Sequence, residues 1–264
     1  MTDALLRIEG LTRRFGGVLA TDAITFDVAA GELHAVIGPN GAGKTTLIGQ
    51  LSGELKPDAG AIWFGDRDIT GLAVHRRSLL GLARTFQITS LFPDFTALGN
   101  VALAVQAHRG HSFRFWRAAQ YEVELREPAR RALERVGLED RADVLASRLS
   151  HGEQRQLEIA VALASSPRLL LLDEPMAGMG PDESARMVHT LQALKHEVTI
   201  VLIEHDMEAV FALADRVTVL VYGRVIACDL PAAIRADEDV RKAYLGDAGE
   251  AAVAQGSPQG ERNA

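Results

Sequence analysis

The stretch GPNGAGKTT, Gly38 to Thr46, carries the residue types that hold phosphate. It fits the pattern G-x-x-x-x-G-K-[ST], with Gly38, Gly43, Lys44 and Thr45 at the fixed places. Glycines at 38, 41 and 43 let backbone amides curl round phosphate oxygens without side-chain clashes. Lys44 reaches the β- and γ-phosphates, and Thr45 offers a hydroxyl to Mg²⁺. Pro39, Asn40, Ala42 and Thr46 complete the expected nucleotide-binding stretch. At this composition a chance match arises roughly 0.003 times per chain, so a plain glycine turn is a poor alternative. The chain has 4 lysines against 24 arginines, and one of the few lysines stands where a compact ammonium suits a phosphate.

A second stretch, LLLLDE, ends an apolar run on two carboxylates. A strand would hold Asp173 rigidly at its end, where it can bind Mg²⁺ directly or through water. Glu174 projects differently and can polarise an attacking water as general base.

A third stretch, LSHGEQRQLEIA, raises a question. Ser150 and Glu153 form a capping box, and Leu157, Ala160, Val161 and Ala164 then share one helical face. Gly152 is out of place there, because glycine inside a first helical turn costs about 1 kcal/mol against alanine. It makes sense if a backbone or a phosphate must come close. The helix start would then bind an anion. One short chain thus carries two anion-binding devices.

Behind these residues the chain alternates short apolar runs with helical patterns. Residues 5–35 read as short strands with glycine turns, and HAVIG, 34–38, reads as a buried strand feeding a helix. AIWFGDRDIT reads as a hairpin. From about Ile88 to Ser165 the pattern is mostly helical, with an interruption expected at Pro128. RLLLLDEP and VTIVLIEH read as buried parallel strands with function at their carboxyl ends. Pro181 suits the first position of the helix between them. RVTVLVYGRVIACD reads as a final hairpin, with Cys228 as a small core residue, and residues 247–264 read as a disordered tail.

A net charge of -7 argues against a nucleic-acid partner. The basic and aromatic segment 108–118, HRGHSFRFWRA, is too short to reverse that and reads as a solvated or partner-facing surface. The single cysteine excludes an internal disulfide. No signal peptide is read at the N-terminus, and no apolar run approaches the ~18 residues that span a bilayer. The chain is expected in the cytoplasm, with any membrane contact made through a partner.

Taken together, these motifs resemble the ABC-type ATPases. LSHGEQ resembles the LSGGQ signature, with His151 in place of a glycine. Phe15 in RRFGG stands where an aromatic that stacks on adenine is expected. Gln87 in RTFQ matches the glutamine that links the core to the helical subdomain and helps organise Mg²⁺. His205 in IEHD matches the histidine that contacts the γ-phosphate. AGMGPD matches the loop after the second acidic motif, but Gly180 replaces the family's usual aspartate or asparagine, which puts that loop's polar cross-dimer contact in doubt.

The resemblance implies an α/β fold: a P-loop NTPase (RecA-like) core with an N-terminal antiparallel β subdomain and an inserted α-helical subdomain. The ATPase domain would run over 5–246, with the core about 5–87 and 167–246 and the helical subdomain about 88–166. It implies ATP and Mg²⁺ as ligands, with Glu174, His205 and Gln87 catalytic. It also answers the question of the two devices. In this family two subunits pack head to tail, and Ser150, His151, Gly152 and Glu153 would close on the partner's ATP. The partners implied are a second ABC ATPase subunit, the same or different, and integral membrane permease subunits on the inner face of the bacterial inner membrane. A periplasmic substrate-binding protein would act indirectly. Within the family the chain looks most like the longer, G-type ATP-binding subunit of branched-chain amino-acid importers. Urea or amide import, lipopolysaccharide export and a soluble non-transport ABC ATPase are the alternatives.

Overall fold

The computed structural model describes residues 4–85, 91–109 and 123–243. Two sheets organise them. The first is antiparallel, with strand order β2-β1-β4-β5, built from β1 (Ala4–Phe15), β2 (Val18–Ala29), β4 (Ala59–Phe64) and β5 (Arg67–Asp68). β1 and β2 have 12 residues each and are not the short strands read from sequence. Glycine at position 10 marks an irregular register between Ile8 and Leu11 rather than a strand end, so the chain bends and continues. Alternation along β2 buries Ile24, Phe26 and Val28 on one face.

The second sheet has six strands in the order β10-β9-β3-β8-β7-β6. They are β3 (Leu33–Ile37), β6 (Leu82–Arg84), β7 (Leu169–Asp173), β8 (Thr199–Ile203), β9 (Arg216–Val221) and β10 (Arg224–Asp229). Five run parallel, and β10 turns back against β9 as the expected hairpin. β3, β7 and β8 are buried at every position, because both faces of a parallel sheet are covered.

The two faces have different covers. Leu170, Leu172, Ile200 and Leu202 pack towards α5 (His151–Leu163), α6 (Pro181–Leu194) and the helices beyond them. Leu169, Leu171, Val201 and Ile203 pack towards α1 (Lys44–Ser52), which lies between this sheet and the antiparallel one. The helix that follows the glycine loop is therefore clamped on both sides.

α3 (Ala97–Arg109), α4 (Val123–Glu134) and α5 pack on one another through Val101, Val105, Ala129, Leu133, Leu157 and Ala160. The interruption expected at Pro128 does not occur, since α4 runs through it. The proline forfeits a single backbone bond, and burial of Leu125, Ala129, Ala132 and Leu133 on one face outweighs that loss. Cys228 on β10 is only half-buried, and its sulfur accepts hydrogen bonds from Thr218 Oγ1 at 3.2 Å and Arg216 Nη2 at 3.4 Å, so it is not the plain core residue read from sequence. Short α2 (Val74–Leu79), α7 (Met207–Leu213) and α8 (Pro231–Ala236), with two 3-10 turns at Glu139–Arg141 and Ala146–Arg148, complete the described elements. No described helix is long and apolar enough to cross a membrane.

Candidate nucleotide site

The loop from Gly38 to Gly43 joins β3 to α1 at the carboxyl edge of the parallel sheet. Two of its glycines are demanded by close approach. A Cβ on Gly38 would lie 2.1 Å from the Leu220 carbonyl oxygen, and one on Gly43 would lie 2.2 Å from that of Ala20. Gly43 also caps α1 with φ of 102°, and no side chain caps the helix start. The first amides of α1 therefore stay open to an anion. The Lys44 ammonium lies folded over the loop and donates to the Gly38 and Pro39 carbonyls at 2.6 and 3.0 Å. Thr45 is exposed in the first turn of the helix. The loop is braced from the far end of the chain, where the Gly223 amide donates to the Ala42 carbonyl at 3.0 Å.

β7 delivers Asp173 to the same edge, where it is only 4% exposed. Burial raises its pKa, the Arg84 guanidinium opposes that rise, Glu174 adds to it, and Lys44 pulls against it. Lys44 and Asp173 thus share one electrostatic site. Glu174 adopts a left-handed backbone with φ of 48°. That sharp bend turns it out of the strand while its amide stays bonded to the Ile203 carbonyl at 2.9 Å. His205 follows β8, and its Nδ1 lies 4.0 Å from Glu174 Oε1. Phe15 ends β1 at the tip of the first hairpin, 44% exposed, with the Arg13 guanidinium 5.0 Å from its ring centre. Gln87 and most of the 108–118 segment lie outside the described residues.

The helix start at Ser150 has the expected box. Ser150 Oγ accepts from the Glu153 amide, the Glu153 carboxylate accepts from the Ser150 amide, and Arg141 holds Glu153 with two bonds of 2.7 and 3.2 Å. His151 is exposed and lies against the loop at Gly178. What approaches Gly152 is a carboxylate of the same chain. A Cβ there would meet Glu183 Oε1 at 2.8 Å. That oxygen accepts from Ser150 Oγ at 3.1 Å and from the Gly152 amide at 3.3 Å. The Ser150 hydroxyl, followed by the Gly152 and Gly180 amides, holds the Glu183 carboxyl below the usual range, although partial desolvation opposes them. Gly180 and Pro181 open α6 as expected, with no side-chain cap.

The model of the family described as ABC transporter matches residues 21–177. The chain belongs to the ABC transporter family. A second model, described as branched-chain amino acid ATP-binding cassette transporter, matches residues 224–250 of this ABC chain. The cassette is 39% identical to the high-affinity branched-chain amino acid transport ATP-binding protein BraF of Pseudomonas aeruginosa, covering 94% of this chain and 100% of that one. It is 38% identical to LivG of Escherichia coli over the same shares. Among solved structures it resembles an ATP-binding cassette of an ABC transporter in its ADP conformation. That match has a TM-score of 0.82 and 30% identity, and it covers 93% of this chain and 100% of that one. A nucleotide-free cassette matches with a TM-score of 0.81 and 29% identity, covering 91% and 98%. The chain is an ABC-type ATPase of mixed α/β fold.

Sequence reasoning passed over three residues that organise this cassette. Glu204 is fully buried and accepts from the amides of Met176 (2.9 Å), His205 (2.9 Å) and Asp206 (3.4 Å). It ties the loop after β7 to the loop after β8, and so fixes Glu174 relative to His205. Arg84 ends β6 and bonds Asp173, Glu54 and Ser52 at 3.1, 2.7 and 3.3 Å. Arg77, 1% exposed, donates to the carbonyls of Gln50, Leu51, Leu72 and Thr70 and so closes the far end of α1. Buried charges were the available signal, since a charged residue inside an apolar setting needs a partner.

Proposed function

We propose that this chain binds and hydrolyses ATP to drive an importer of branched-chain or related amino acids, as one half of a head-to-tail ATPase dimer docked on membrane permease subunits. One observation carries the reading. A single protomer presents two helix starts built for anions, α1 after the glycine loop and α5 at Ser150, and one triphosphate needs only one of them. Similarity to BraF and LivG over nearly the whole length supports the substrate class.

In this proposal the amides of Gly41 to Lys44 and the Lys44 ammonium hold the β- and γ-phosphates, and Phe15 offers its free ring face to the adenine. The site fits Mg²⁺ only together with the nucleotide, because the described residues hold no cluster of three His, Cys, Asp or Glu side chains. Thr45 and Asp173 would hold the ion with phosphate oxygens and water, joined by Gln87. Bound there, it supplies charge neutralisation at the phosphates. Glu174 takes the proton of the attacking water, and His205, 4.0 Å away, senses the γ-phosphate. Ser150 and Gly152, flanked by His151 and Glu153, close the partner's site.

The proposed core comprises about 5–87 and 167–246, the helical subdomain about 88–166, and the tail 247–264. An apolar groove between α2, β6 and the α3–α5 pair, lined by Val74, Leu79, Leu82, Ala83, Ala104 and Ala107, suits a permease segment. Such docking places the chain on the cytoplasmic face of the bacterial inner membrane, with a periplasmic binding protein acting through the permease and no nucleic acid involved. The test uses Glu174→Gln. This variant binds Mg-ATP, barely hydrolyses it and accumulates a dimer in sedimentation. Adding Ser150→Arg abolishes that dimer while monomer ATP binding survives. A Ser150→Arg chain that still dimerises refutes the shared-site reading.

A further inference from the structure

Glu183 occupies the anion site at Ser150 in the isolated protomer. It is the third residue of α6, so its carboxylate lies at the start of that helix, where the Gly180 amide also lowers its pKa. The same carboxylate reaches across to the start of α5 and takes the Ser150 hydroxyl and the Gly152 amide on one oxygen. Two helix starts, each with partial positive charge, thus converge on one anion. The residues are 33 and 31 positions apart in sequence, so the contact is tertiary.

A serine hydroxyl has one proton to donate. Here that proton is directed to Glu183, and the Gly152 amide of the helix start points at the same oxygen. A phosphate arriving from a partner needs both donors and also meets a like charge. We propose that Glu183 is an internal competitor for the partner's γ-phosphate, which must displace it before the ATP-bound dimer closes. The inference rests on the shared-site reading above. The displaced carboxylate has a waiting partner in Arg186, one turn further along α6, whose charge already acts on both Glu183 and Glu153. Arg141 and Glu153, also at the helix start, are engaged with each other at 2.7 Å. Glu183 therefore sets how much ATP is needed for association, because every closing event exchanges one anion for another.

The test compares Glu174→Gln with Glu174→Gln/Glu183→Gln and Glu174→Gln/Glu183→Ala, titrating Mg-ATP and following association by sedimentation. Affinity for a fluorescent ATP analogue is measured on each monomer at protein concentrations too low for pairing. The glutamine variant keeps an oxygen for Ser150 but removes the charge; the alanine variant removes both. The ATP concentration for half-maximal dimer, divided by the monomer dissociation constant, falls at least threefold in both double variants. An unchanged or increased ratio in both overturns the inference, because a purely structural cap would weaken association when lost. A fall in the alanine variant alone also overturns it, since the competition is assigned to charge. If the Glu174→Gln chain shows no ATP-driven association, the shared-site reading itself falls, and the inference falls with it.

Discussion

Glu204→Ala tests whether the loops that carry Glu174 and His205 are held by one buried carboxylate. The substitution strips the partners from two amides bonded at 2.9 Å, those of Met176 and His205, and from the more distant amide of Asp206. A buried amide left without a partner costs about 1–3 kcal/mol. Two of them give about 4 kcal/mol at mid-range, a drop in the thermal midpoint of roughly 8–16 °C for a chain of this size. Glu204→Gln keeps one oxygen and should lose roughly half as much. The kinetic effect is separate. Met176 and His205 sit on the loops that carry the proposed base, Glu174, and the proposed sensor, His205 itself, so kcat should fall at least tenfold in Glu204→Gln while ATP affinity stays within about twofold. Calorimetry gives the first arm, and steady-state hydrolysis with an ATP-analogue titration gives the second. A Glu204→Ala protein that melts within 2 °C of the parent and turns over normally would refute the reasoning on both arms.

Two further outcomes follow from close approaches. Gly43→Ala puts a Cβ 2.2 Å from the Ala20 carbonyl, whereas Gly41→Ala meets nothing within 4 Å and bears only the strain of φ at 79°. ATP-analogue affinity should therefore fall much further in Gly43→Ala than in Gly41→Ala, and equal losses would show that backbone contact is not what shapes the loop. Arg77→Met orphans carbonyls at the end of α1 and should destabilise by about 3 kcal/mol in urea unfolding. Burial holds the Arg77 guanidinium down at about 10, below its unfolded value. Its charged form is thus disfavoured in the fold, and stability from this group rises only as pH passes upward through that value. The loss in Arg77→Met should accordingly be flat between about pH 6 and 9, and a slope there would contradict the assignment.

Where local chemistry decides structure, the sequence was readable. The glycine loop, the Ser150–Glu153 box, Pro181 at a helix start and the two hairpins each depend on residues a few positions apart. The positions of Asp173, at the end of β7, and His205, just past β8, were readable because apolar runs announced those strands. Gly152 was recognised as needing a close neighbour, but sequence could not supply that neighbour, since Glu183 arrives from another helix. Glu204, Arg84 and Arg77 were missed because a decisive partner of each, the Met176 amide, the Asp173 carboxylate and the Gln50 carbonyl, comes from a distant part of the chain. Pro128 misled because the rule for a lone proline ignores how much apolar surface the rest of its helix covers. Cys228 misled because hydropathy along β10 says nothing of Arg216 and Thr218 on the neighbouring strand.

The order of the six-stranded sheet has a consequence for how the molecule comes into being. β3, which leads into the glycine loop, pairs on one side with β8 and on the other with β9, strands that lie more than 160 residues later. Even the brace on Ala42 is supplied by Gly223. During synthesis the first strand of this sheet, apolar at every position but His34, therefore waits until nearly the whole polypeptide has left the ribosome. A nascent chain released before β9 would expose that strand and lack its cradle, a liability for the cell's chaperones rather than a half-working enzyme.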